Sequence, residues 1–138
     1  MSKIKLFIAA VPFLLLSCSK GGESTPTPNP PKIETPITIT VVQDPGAGNI
    51  LGVVGTSQII NVKVNSAIPT AGVNIEVTVR KDADNATVFT TTTSSMAPDN
   101  NINITGLTPG VLCTASVLVT SKSTASNSKS LSFKLAAK

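Results

Sequence analysis

Val73-Asn74-Ile75-Glu76-Val77-Thr78-Val79-Arg80 alternates apolar and polar side chains without a break. Successive side chains of a strand point to opposite faces, so this octet puts four branched apolar residues on one face and four polar ones on the other. A helix would scatter the same valines around its axis. The octet therefore reads as a half-buried strand, and the same period recurs on both sides of it. Upstream, Ile37, Ile39 and Val41 alternate with Thr38, Thr40 and Val42, and Ile60, Val62 and Val64 alternate with Asn61, Lys63 and Asn65. Downstream, residues 87–93 form a threonine-rich run, Ile102 and Ile104 point inward from residues 100–105, and Val111, Cys113, Ala115, Val117 and Val119 share one face. Leu131, Phe133 and Leu135 close the chain.

Turn chemistry separates these runs. Asp82-Ala83-Asp84-Asn85 reads as a hairpin turn, because Asp and Asn side chains cap their own backbone and tolerate turn geometry. Pro69 breaks the run before the octet, and residues 121–127 are a polar turn. Asp44-Pro45-Gly46-Ala47-Gly48-Asn49 is a loop, and with Gly52 and Gly55 the whole 44–57 stretch reads as one long glycine-containing connection. About seven short strands, regularly spaced, with no helical period between them, predict an all-β protein. The expectation is a single immunoglobulin-like β-sandwich over residues 36–138, about the usual size of such a domain.

One corner carries a family resemblance. Ile104-Thr105-Gly106-Leu107-Thr108-Pro109-Gly110-Val111-Leu112-Cys113 is similar to the turn between strands E and F of fibronectin type III domains, where Leu-x-Pro-Gly is followed three residues later by Tyr. Here Cys113 stands at the Tyr place, so the phenol hydrogen bond of that corner is missing, and the family's strand-B Trp is missing too. The resemblance implies sandwich architecture and no particular function, because the fold hosts many.

The amino-terminal stretch says where the chain goes. Lys3 and Lys5 precede an apolar run over residues 6–16, which ends in Leu15-Leu16-Ser17-Cys18. Basic residues, a short apolar core and a small residue before a cleavage point make a secretory signal. An eleven-residue stretch interrupted by Pro12 is too short to span a bilayer, which takes about 20 apolar residues. With Cys just after the cleavage point, the segment resembles a bacterial lipoprotein signal and its lipobox. The resemblance implies residues 1–17 as signal peptide, a diacylglycerol on the Cys18 thiol and further acylation, by palmitate for example, at the new amino terminus. Two or more acyl chains anchor a protein stably, whereas one chain holds it marginally. Ser19 rather than Asp follows Cys18, which in that family favours the outer membrane, at its periplasmic face or the cell surface. The run Cys18-Ser19-Lys20-Gly21-Gly22-Glu23 looks like the start of Bacteroidetes-type lipoproteins. Residues 18–35 then form a tether. Ser24-Thr25-Pro26-Thr27-Pro28-Asn29-Pro30-Pro31 has no apolar side chain to bury, and extended proline-rich chain at about 3.1 Å per residue spans on the order of 50 Å.

Composition narrows the function classes. The formal charge is +4, and without Lys3 and Lys5 nine basic side chains face seven acidic ones. The remaining basic residues are scattered, so no nucleic-acid surface is expected. His, Tyr and Trp are absent, and the only Phe residues beyond the signal are Phe89 and Phe133. Histidine is the commonest general base and metal ligand, so the inventory for catalysis is poor and no cofactor or metal is expected. Of the two cysteines, a lipidated Cys18 leaves Cys113 without a disulfide partner.

Each candidate site has a plainer reading. Asp82, Asp84 and Asn85 offer oxygens at alternate positions, with Asp99, Asn100 and Asn101 as further donors, but the glycine and distal Glu of a calcium loop are missing. Cys113 sits on an apolar face and reads as a small hydrophobe rather than a reactive thiol. Residues 90–95 read as a solvated edge strand, with pairing to a partner strand as the alternative. Asn85-Ala86-Thr87 and Asn103-Ile104-Thr105 fit the glycosylation pattern by chance. The expected function is a lipid-anchored, non-catalytic module of the cell envelope acting by protein contact, with the 44–57 stretch as its contact surface. The alternative is an accessory glycan-binding lipoprotein of an outer-membrane carbohydrate-uptake system, although the aromatic platform usual for sugars is missing.

Overall fold

The computed structural model describes residues 33–138. The signal helix expected for residues 1–17, Cys18 and the disordered tether expected as far as residue 32 lie outside the described residues.

Alternation becomes two sheets. The strands are β1 (Ile39–Val41), β2 (Ile50–Val53), β3 (Gln58–Val64), β4 (Val73–Lys81), β5 (Thr87–Ser95), β6 (Asp99–Ile104), β7 (Leu112–Ser121) and β8 (Ser128–Ala137). One sheet has the order β1-β3-β6, the other β2-β8-β7-β4-β5. All neighbours are antiparallel except β2 and β8, which run parallel. The β4–β5 and β7–β8 hairpins stay within the larger sheet, while the other connections cross from one sheet to the other. This is an immunoglobulin-like sandwich of eight strands.

The inward faces merge into one core. Ile60, Val62 and Val64 of β3 and Ile102 and Ile104 of β6 face Ile75, Val77 and Val79 of β4 and Ala115, Val117 and Val119 of β7 in a single buried cluster. Most of these side chains are β-branched, a shape that suits pleated surfaces. Burying one such side chain stabilises the fold by about 1.5–3 kcal/mol. Phe133 is the one buried aromatic among the described residues, and Leu107 adds a plug from the loop before β7.

One expectation needs correcting. The 44–57 stretch is not a single loop, because β2 lies inside it. Ile50 to Val53 do not alternate cleanly, and only Val53 is fully buried. β2 forms because the edge of β8 accepts it, with Ile50 opposite Lys134 and Val53 opposite Ala137. That partner lies more than 80 residues away, so no local pattern announces it.

The two ends of the sandwich differ. At one end the chain enters and meets the β3–β4 and β7–β8 loops: Asn65 donates its N–H to the Thr38 carbonyl at 2.8 Å, and Lys122 donates to the Gly72 carbonyl at 3.1 Å. At the other end Leu107 donates to the Thr56 carbonyl at 3.0 Å, Asp82 to Leu112 at 3.0 Å and Lys138 to Val53 at 2.9 Å. The loop over residues 44–49 instead flanks the middle of β8, against Ser132, Phe133 and Lys134, and β2 carries the chain from there to the far end.

Candidate functional site

The predicted cation donors do not converge. The Asp82 side chain points away from its turn. Its Oδ1 accepts from Thr114 Oγ1 at 2.6 Å and its Oδ2 from Lys134 Nζ at 2.5 Å, while Lys134 Nζ also donates to Thr114 Oγ1 at 2.8 Å. Asp84 caps the turn by accepting from the Ala86 N–H at 3.0 Å. Asn85 holds the left-handed position at φ 59°, and its carbonyl accepts from Arg80 at 3.1 Å. Asp99 lies at the other end of the sandwich, paired with Lys63 at 3.4 Å, and the Asn61 side-chain amide donates to Asn101 Oδ1 at 2.8 Å. Among the described residues no three acidic, Cys or His side chains come close enough to hold a metal ion. The turn reading holds for residues 82–85.

Cys113 is 1% exposed, on the core face of β7. Burial pushes its thiol above the ordinary range, and the nearby negative charge of Asp82 adds to the effect, opposed by Lys81. A thiol held protonated is a poor nucleophile. Asn85 and Asn103 are both exposed. Cys18, the expected lipidation site, lies outside the described residues.

Two polar clusters were invisible to sequence reasoning. The first is the Asp82–Thr114–Lys134 group, which ties the end of β4 to β7 and β8 across the outer face of the larger sheet. The Lys134 ammonium, first, and the Thr114 hydroxyl hold the Asp82 carboxyl below its usual range. Asp82 engages both Thr114 and Lys134, so the group braces the sheet. A shallow depression of about 300 Å³ lies next to it, lined by Gly46, Gly48 and Asn49 of the loop and by Ser132 and Phe133.

The second cluster pins the entering chain. Asn127 accepts from the Ile37 N–H at 2.9 Å through Oδ1, and its Nδ2 donates to Glu34 Oε2 at 3.0 Å and to the Thr35 carbonyl at 3.1 Å. Ser121 Oγ accepts from the N–H groups of Ser123 and Thr124 at 3.1 and 3.2 Å, which shapes the loop carrying Asn127. The Asn127 amide, and after it the Ser121, Ser123 and Thr124 hydroxyls, hold the Glu34 carboxyl below its usual range. The partners are 90 or more residues apart, and no spacing rule links them.

The outer face of the larger sheet is mostly hydroxyl. In register across β8, β7, β4 and β5 stand Ser132, Ser116, Thr78 and Thr90, and a second rank runs Ser128, Thr120, Asn74 and Ser94. Thr78 and Thr90 bring their hydroxyls to 3.3 Å, and Ser94 donates to Asn74 at 2.8 Å. Strand alternation indicated polar residues here, but only the register assembles them into ranks. Beyond β4, the inward side of β5 is also polar: Thr91 is half-buried and Thr93 exposed.

No protein-family model matches this chain, and no curated protein shows significant similarity to it.

Proposed function

We propose that this chain is a lipid-anchored, non-catalytic module of a bacterial cell envelope, held in the outer membrane through Cys18 and working by contact with another envelope protein. The observation that carries the reading is the run Leu15-Leu16-Ser17-Cys18 behind a basic start and a short apolar stretch. The layout of the folded part supports it. The described chain enters at the end braced by Asn127, and the loops over residues 82–86 and 106–111 lie at the opposite end. Loops carried on a rigid scaffold are where such a module meets its partners. The glycan alternative gains no exposed aromatic ring among the described residues, since Phe133 is buried and Phe89 half-buried.

The test is the anchor itself. Cys18→Ala moves the protein from the membrane fraction to the soluble fraction of fractionated cells. Mass spectrometry of the wild-type chain finds its first residue to be Cys18 carrying acyl chains. An unmodified thiol at that residue, or a variant that stays with the membrane, overturns the proposal.

A further inference from the structure

Four strands end the two sheets, and three of them offer little to a partner. β1 has three residues and β2 four. β6 has six, begins on Asp99 and carries Asn100, Asn101 and Asn103, a residue type depleted in strands. β5 is different. It runs for nine residues with no charge and no proline. Natural edge strands are usually blunted by charge, proline, a bulge or shortness, because their free N–H and C=O groups invite pairing. A bulge opposite Val79 and Arg80 leaves Val88 out of register and blunts only the start of β5; Phe89 pairs with Val79 and every residue from there to Ser95 stays in step.

We propose that β5 is the contact edge of a symmetric homodimer, joined antiparallel to β5 of a second copy so that the two larger sheets become one. The regular run over residues 89–95 is centred on Thr92. Full overlap therefore puts Thr92 on the twofold axis, opposite its own copy, with Thr91 opposite Thr93 and Thr90 opposite Ser94. Hydroxyl-bearing residues pair favourably across strands, and β4 already pairs with β5 in this way through Thr78 and Thr90.

Charge selects the second copy as occupant. A charged partner strand finds no countercharge on β5, whereas an identical neutral strand brings neither repulsion nor an unpaired charge. The chain's own tether is a poor occupant, since Pro26, Pro28, Pro30 and Pro31 lack the N–H that an added strand must donate. The contact also closes on itself. The opposite edge of the sheet, β2, is four residues long against nine, so head-to-tail stacking into a filament has no matching surface.

Two measurements on the full-length chain test this. In membranes of cells making Thr92→Cys, mild oxidation yields a disulfide-linked dimer on a non-reducing gel, whereas Ser130→Cys, exposed on the same outer face but on β8, does not. In detergent, sedimentation shows a twofold rise in protein mass with concentration. Thr92→Lys, which sets like charges opposite each other, weakens that association about tenfold or more while leaving the β-type circular dichroism unchanged. A single-chain mass at every concentration overturns the proposal, as does equal cross-linking of the two cysteine variants. An edge found covered by a different envelope protein overturns it too. If Thr92→Lys does not fold, the cysteine pair still decides.

Discussion

β4 and β5 are neighbours of equal length, paired along nearly their whole run, yet they are built from opposite materials. β4 carries Val73, Ile75, Val77 and Val79 on its inward side, all fully buried. β5 places Phe89, Thr91, Thr93 and Ser95 opposite them. Propensity does not explain the contrast, because threonine and valine both favour strands. Cover explains it. β4 lies between β7 and β5 and faces the smaller sheet, whereas β5 ends its own sheet and Thr93 remains exposed. A valine at an uncovered inward position gains little from burial, while a hydroxyl there keeps its water. The place of a strand in the sheet order, more than its own sequence period, decides what its inward side must be.

The sharpest way to break this comparison is to delete side chains at one register position. Ile75→Ala removes a fully buried side chain and is expected to cost about 2–5 kcal/mol in urea unfolding. Thr93→Ala, directly opposite on β5, is expected to stay within about 0.5 kcal/mol of wild type. Similar losses at the two positions would mean that β5 is covered after all.

A smaller effect is expected where the chain leading into β4 passes the end of β5. Gly72 has φ +82°, and a Cβ added there would lie 2.5 Å from the Ser95 carbonyl oxygen, which is backbone and cannot swing aside. Gly72→Ala should therefore cost about 1–3 kcal/mol and speed amide exchange at the end of β5. An unchanged exchange pattern would show that the start of β4 and the end of β5 are not held as closely as described.

The smallest effect is in the pH profile. β5 has no titratable side chain, whereas β4 runs directly into Asp82. The folded carboxyl of Asp82 is held below its ordinary range by Lys134 and then Thr114, and that of Glu34 by Asn127. A lowered folded pKa gives stability that is complete above the ordinary carboxylate range and is lost as pH falls through the folded value. Thermal melts are therefore expected to show a falling Tm below about pH 4, with Asp82→Asn flattening part of that slope. An unchanged slope in the variant would remove the brace from the account. Asp82 is exposed and Glu34 half-buried, and salt is expected to weaken the effect.

Much of the sandwich was legible in the chain because each strand buries one face and announces it by alternation. Ile75, Val117 and Leu135 were placed correctly by that rule alone. The turn at residues 82–85 was legible because Asp and Asn act on their own backbone. β2 was not, since Ile50 to Val53 are held by the far end of the chain rather than by a pattern of their own. The Asp82–Lys134 brace and the Asn127 clamp escaped for the same reason: each joins residues that only the folded register makes neighbours.

By itself, the order of residues determined the strand period, the turns, the absence of histidine and the lipobox-like run ending at Cys18. These are local facts, set by what one side chain does to its own backbone or to a residue two places away. Tertiary structure alone decided that the strands number eight, that the hydroxyls of four strands stand in ranks and that one long neutral edge is left open. Those depend on which strand lies beside which, and that choice is made by burying all the apolar faces at once.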